Sequence, residues 1–118
     1  MAAGRSEDDL IMAYYTYQLR CADGSLYAGI AADLSRRMQE HFSKDPKAAK
    51  YTRSHPAVAL CAAWESVDRA TASRLEYRLK QLPKLKKEIL ASGGDLDEVF
   101  KDEEFCAAYR KVSPEGIE

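Results

Sequence analysis

The chain contains no run of apolar residues approaching the roughly 18 that a membrane-spanning helix needs. Its first twelve residues, M-A-A-G-R-S-E-D-D-L-I-M, lack the apolar block of a secretory signal. A soluble, cytoplasmic protein is the expectation. Cysteine is scarce and odd in number: Cys21, Cys61 and Cys106 lie far apart, form no C-x-x-C pair and are accompanied by only two histidines. That argues against a disulfide framework and against a zinc site. Repeats and low-complexity tracts are also missing. What remains is a chain of 118 residues, suited to one domain with a single core.

The net charge of −1 conceals a division. Residues 1–32 carry −2, residues 33–90 carry +6 from 13 basic and 7 acidic side chains, and residues 91–118 carry −5. A basic middle followed by an acidic end is the distribution expected where the middle meets a polyanion, and solvated helix faces produce the same pattern.

Apolar periodicity and punctuation give the order of elements. Residues 1–12 form a polar lead-in, 13–21 and 25–30 two strands, and 57–65 (A-V-A-L-C-A-A-W-E) a third strand buried on at least one face. Asp33 suits the N-cap of a helix over 34–42, with Leu34, Met38 and Phe42 inward and Arg37 and His41 together on the adjoining face. Residues 43–56, broken by Pro46 and Pro56, read as a basic loop. Asp68 can cap a helix over 69–82, whose core stripe is Ala72, Leu75, Leu79 and Leu82 with Glu76 beside it. Pro83 opens a helix that Gly93-Gly94 closes, and a last helix is expected around 95–110.

Residues 15–29, Y-T-Y-Q-L-R-C-A-D-G-S-L-Y-A-G, put three tyrosines into the first two strands. The turn between them sets which way the phenols point. A two-residue Asp23-Gly24 loop, which the dipeptide favours, sends Tyr17 and Tyr27 to opposite faces. A three-residue Ala22-Asp23-Gly24 loop with a glycine bulge pairs Tyr17 with Gly29 and puts both phenols on one face.

Tyr17, Tyr27, Arg37, His41 and Glu76, with the segment Lys50-Tyr51-Thr52-Arg53-Ser54, resemble in order and spacing the signature of the GIY-YIG nuclease family. The resemblance is closest to its small standalone bacterial members, related to the N-terminal nuclease domain of excinuclease C, and spans about residues 13–90. It implies phosphodiester hydrolysis with one divalent cation, Mg²⁺ or Mn²⁺, held by Glu76 as the sole protein carboxylate. Tyr17 would be the general base, Tyr27 would orient water or phosphate, Arg37 would hold the scissile phosphate, and His41 would contact phosphate or assist proton transfer. Lys47, Lys50, Tyr51 and Arg53 would grip the flanking backbone. The three-residue loop follows from this set, because only that register sends both phenols toward Arg37. The chain departs from the family at Tyr15, where the first motif has glycine, at Ala28 in the second motif and at Ile30, where some members place lysine. It also contains no asparagine at all, so the family's asparagine after the glutamate has no counterpart.

Each residue also has an ordinary explanation. The tyrosines could be cross-strand packing, Arg37 a solvated helix residue, and Glu76 the partner of Lys80 one turn on. The expected fold is α/β in the mixed sense: a three-stranded, mostly antiparallel sheet in order 2-1-3, flanked by helices. The expected division is a lead-in over 1–12, a nuclease-like domain over 13–92 and an acidic, part-helical tail over 93–118. The expected function is a metal-dependent endonuclease acting on branched or structured DNA in repair or recombination. Its alternatives are a nucleic-acid-binding module with little turnover and a protein-interaction domain. DNA is the expected partner, with a protein partner or self-association through the tail and no membrane.

Overall fold

The computed structural model describes residues 13–43 and 50–114. Strands β1 (Tyr14–Cys21) and β2 (Leu26–Ala31) form the hairpin. Its turn is the three-residue form: the Cys21 amide donates to the Ser25 carbonyl at 2.9 Å, and Gly24 sits at φ +87°, where L side chains are strained. Asp23 holds the bend by accepting from the amide and hydroxyl of Ser25 at 3.0 and 2.6 Å. Tyr17 therefore pairs with Gly29 and Leu19 with Tyr27, the register that keeps both phenols on one face.

Strand β3 (Ala57–Ser66) runs antiparallel to β1, and the register shifts twice along the pair. Gln18 pairs with Ala62 but Leu19 with Leu60, so Cys61 is an extra residue on β3. A bulge of this kind reverses strand parity. Leu60 thus packs with Tyr17 and Leu19 on one face, while Ala62 and Trp64 join the core on the other. The near-continuous apolar run in the sequence has this origin.

Two cores result. One lies between the sheet and helix α1 (Leu34–Phe42), around Tyr17, Leu19, Leu34, Met38, Leu60 and Ala63. The other lies under α3 (Arg69–Gln81) and α4 (Lys84–Ala91), around Trp64, Leu75, Leu79 and Leu90. Asp33 and Asp68 cap α1 and α3 by accepting from the amides of Arg36 and Thr71. The segment expected as a loop over 43–56 carries a short helix, α2 (Lys50–Ser54), within its described part.

The sheet has four strands rather than three, in order β2-β1-β3-β4. The expected helix over 95–110 is replaced by two single turns, α5 (Leu96–Val99) and α6 (Glu103–Cys106), followed by β4 (Arg110–Val112). Two competing N-caps account for the break. Asp95 closes a capping box with Glu98, and Asp102 starts afresh by accepting from the Phe105 amide at 3.1 Å. Leu96, Val99 and Phe100 are buried in the second core, and β4 pairs with β3, satisfying backbone groups that would otherwise form an open edge. No helix among the described residues is long and apolar enough to cross a membrane.

Candidate active site

Tyr17 occupies the centre of β1 and is 1% exposed. Its ring lies over Gly29: a Cβ built there would stand 2.5 Å from the phenol oxygen and 2.7 Å from Cζ. Gly29 is thus required for space, which the phenol itself fills. From α1 two side chains reach this oxygen, His41 through Nε2 at 2.9 Å and Arg37 through Nε at 3.4 Å. They are one turn apart, so both project from the helix face beside the Leu34–Met38 stripe.

The direction of these bonds follows from the chemistry. Arginine can only donate, so the phenol oxygen accepts from Arg37. The buried phenol proton needs an acceptor, which makes Nε2 of His41 the unprotonated nitrogen. Nδ1 then carries the hydrogen and donates to Thr52 Oγ1 at 2.8 Å. Thr52 is the buried residue of α2, and its bond seats that helix against the site. Sequence reading passes it over, since Lys50, Tyr51 and Arg53 around it carry the obvious chemistry.

His41 is 2% exposed, and burial, helped by the neighbouring Arg37 charge, lowers its pKa to about 4. The unfolded chain therefore binds a proton that the folded chain refuses. The neutral imidazole favours folding fully above about pH 6.5, and this contribution is lost as pH falls toward about 4. A proton NMR titration of His41 should give a midpoint near 4; a midpoint near 6.5 would mean that the ring is solvated. Burial likewise raises the Tyr17 phenol above its ordinary range, opposed by the hydrogen bond from Arg37.

Tyr27 stands beside this group, its ring centre 6.4 Å from that of Tyr17 and 5.8 Å from that of His41. Burial raises its phenol too, opposed by Arg37. Tyr51 stacks on Tyr27 at 5.5 Å and on His55 at 4.1 Å, and donates to Ser25 Oγ at 2.6 Å. These contacts brace α2 against the hairpin turn, and Tyr51 stays partly exposed. Lys50 and Arg53 are exposed on the same short helix, and Lys47 lies outside the described residues.

Glu76 comes from α3, in the layer opposite α1. It is partly buried and pairs with exposed Lys80 at 3.2 Å, while its charge raises both the Tyr17 and Tyr27 phenols. Arg37 spends part of its guanidinium on Glu40 at 2.6 Å. Among the described residues no cluster of three or more histidine, cysteine or carboxylate side chains is arranged to hold a metal. A single carboxylate matches the donor set of a hard cation that keeps most of its water and takes phosphate oxygens as its remaining ligands.

Residues 13–88 match the family model described as the GIY-YIG catalytic domain. The UPF0213 protein FN1575 of Fusobacterium nucleatum is 45% identical over 84 residues, covering 71% of this chain and 82% of the relative. The UPF0213 protein BH0048 of Halalkalibacterium halodurans is 41% identical over 92 residues, covering 76% and 96%. The solution NMR structure of the UPF0213 protein BH0048 from Bacillus halodurans superimposes with a TM-score of 0.44 at 43% identity, covering 69% of this chain and 84% of that one.

Proposed function

Because the chain belongs to the GIY-YIG catalytic domain family, and so to a family of nucleases, we propose that it is a divalent-metal-dependent endonuclease that cleaves branched or otherwise structured DNA in repair or recombination, in the cytoplasm. The observation that carries this reading is the convergence of His41 and Arg37 on the Tyr17 phenol oxygen, with Tyr27 beside it.

Tyr17 serves as general base. As its oxygen takes a proton from the attacking water, its own proton passes along the existing hydrogen bond to His41 Nε2. The base is thereby active without a free phenolate, which burial disfavours. The imidazolium formed in its place is disfavoured by burial and by Arg37 as well, so the transfer depends on the negative charge of the bound phosphate beside it. Arg37, already donating to that oxygen, binds the scissile phosphate and offsets the charge that develops on it. Tyr27 orients water or phosphate. Lys47, Lys50, Tyr51 and Arg53 flank the strand being cut, the lysines and arginine through phosphate contacts and Tyr51 through its exposed part. Glu76 would hold one Mg²⁺ or Mn²⁺, which when bound supplies Lewis-acid polarisation of the phosphate.

Thr52 keeps His41 in the tautomer this transfer needs. Thr52→Val should lower cleavage by about tenfold, a fraction of the roughly 10²- to 10⁴-fold that a general acid–base group supplies, and should change the His41 nitrogen shifts in an NMR spectrum, with Thr52→Ser restoring both. Unchanged nitrogen shifts in Thr52→Val would show that the tautomer is set elsewhere.

The overall reading is tested by incubating the protein with labelled branched and linear duplexes in Mg²⁺, in Mn²⁺ and in chelator. Cleavage of the branched substrate only with metal is expected. Metal-independent binding with no cleavage would favour a binding module of the same fold, a second reading that the raised Tyr17 phenol supports.

A further inference from the structure

A groove of about 270 Å³ opens beside the site, between the hairpin turn, α2 and α4, with Ser25, Tyr51, Lys84, Lys87 and Glu88 in its walls. Tyr51 is the wall it shares with the site, since the same ring stacks on Tyr27 at 5.5 Å. With a nucleic-acid strand rising about 3.4 Å per nucleotide, the groove begins within roughly two nucleotides of Tyr27.

Arg20 holds the groove in shape. Its guanidinium donates to both oxygens of Glu88 at 2.7 and 2.6 Å and to the Gly24 carbonyl at 3.0 Å, tying α4 to the turn. This clamp also satisfies Glu88, the one carboxylate in the lining, and leaves Lys84 and Lys87 to set the sign of the groove. On the remaining wall the Ser25 hydroxyl takes a hydrogen bond from Tyr51 and passes its own to Asp23, so the turn is braced from two sides. The result is a groove lined by two lysines and one ion-paired carboxylate, which adjoins the tyrosine face at Tyr51.

Resting on the nuclease reading, we propose that this groove binds the backbone phosphates of the strand flanking the scissile bond, with Lys84 and Lys87 as the contacting cations. The contact is electrostatic and sequence-independent, since the lining presents ammonium groups, a tyrosine and backbone rather than a set of base-reading side chains.

The test is binding of a labelled branched duplex in chelator, followed by fluorescence anisotropy from low to moderate salt. The double variant Lys84→Glu, Lys87→Glu should lose affinity by about tenfold or more and show a log–log salt dependence shallower by about two. Lys86→Glu, an equal change of sign per residue at an exposed site outside the lining, should have a smaller effect on affinity and leave the slope near that of the wild type. In the wild-type protein, titration with the duplex should shift the amide NMR signals of Ser25, Lys84 and Lys87, a measurement that needs no variant to fold. Wild-type affinity and slope in the double variant, or shifts confined to α1 and β1, would overturn the groove while the nuclease reading stood if metal-dependent cleavage persisted. A wild-type protein that neither binds nor cuts would overturn both.

Discussion

Tyr17→Phe is expected to reduce the single-turnover rate of metal-dependent cleavage by about 10²- to 10⁴-fold, the range for removing a general base, while binding of the duplex in chelator is retained. The substitution removes one oxygen and keeps the ring over Gly29, so packing is preserved. It also leaves Nε2 of buried His41 without its donor and takes the Tyr17 oxygen away from Arg37. A stability loss of about 1–3 kcal/mol should accompany the loss of rate, as for any buried polar group stripped of its partner. Tyr27→Phe is the comparison, because Tyr27 contributes mostly ring contacts to its neighbours and should cost less. If Tyr27→Phe abolished cleavage while Tyr17→Phe did not, the two roles would be reversed.

Gly29→Ala should be nearly as damaging, for a steric reason. The new methyl would meet the Tyr17 phenol at 2.5 Å, closer than real side chains come, and the Tyr27 ring at 3.1 Å, a tight contact that needs that ring to give by a few tenths of an ångström. Tyr17 cannot swing aside freely, since His41 and Arg37 hold its oxygen and the ring is buried. Either the ring moves off its partners or the strands separate, at a cost of about 1–3 kcal/mol for overpacking. A displacement of about 1 Å at the reacting groups is worth roughly 10² in rate. Urea unfolding and cleavage should both report it, and the stability loss should shrink when Tyr17→Leu is combined with Gly29→Ala, because the clashing phenol is then gone. An undiminished loss in the double variant would place the strain in the backbone instead.

These expectations depend on the hairpin register, which the local sequence leaves open. Asp23-Gly24 alone suits the two-residue turn. The bulged turn puts Tyr27 on the face of Tyr17, toward α1, where His41 and Arg37, 20 or more residues away in the chain, complete the hydrogen bonds of Tyr17. Elements whose spacing is local were legible, the α1 stripe and the Asp33 and Asp68 caps, and the apolar run over 57–65 also placed β3 beside β1. Other elements decided by distant partners were not. Nothing in Arg110-Lys111-Val112 marks a strand until the edge of β3 is there to pair with it. Cys61 reads as one more apolar residue in a buried run, although it reverses the parity of β3. Thr52 is similarly silent, because its value lies in a bond to an imidazole eleven residues back. The candidate residues Tyr17, Tyr27, Arg37 and His41 are picked out as a set by the resemblance, and what the fold adds is that they meet on one face.

Glu76 lies in the layer opposite α1, paired with Lys80, and reaches the two phenols through its charge; its proposed metal-holding role is therefore the most direct test of the metal-dependent nuclease reading. The decisive measurement is the single-turnover rate on one labelled branched duplex in Mg²⁺, for the wild type and for Glu76→Ala purified identically. The prediction is cleavage by the wild type, abolished by chelator, and a variant that binds the duplex but does not cut it. Equal rates from both proteins would contradict the assignment.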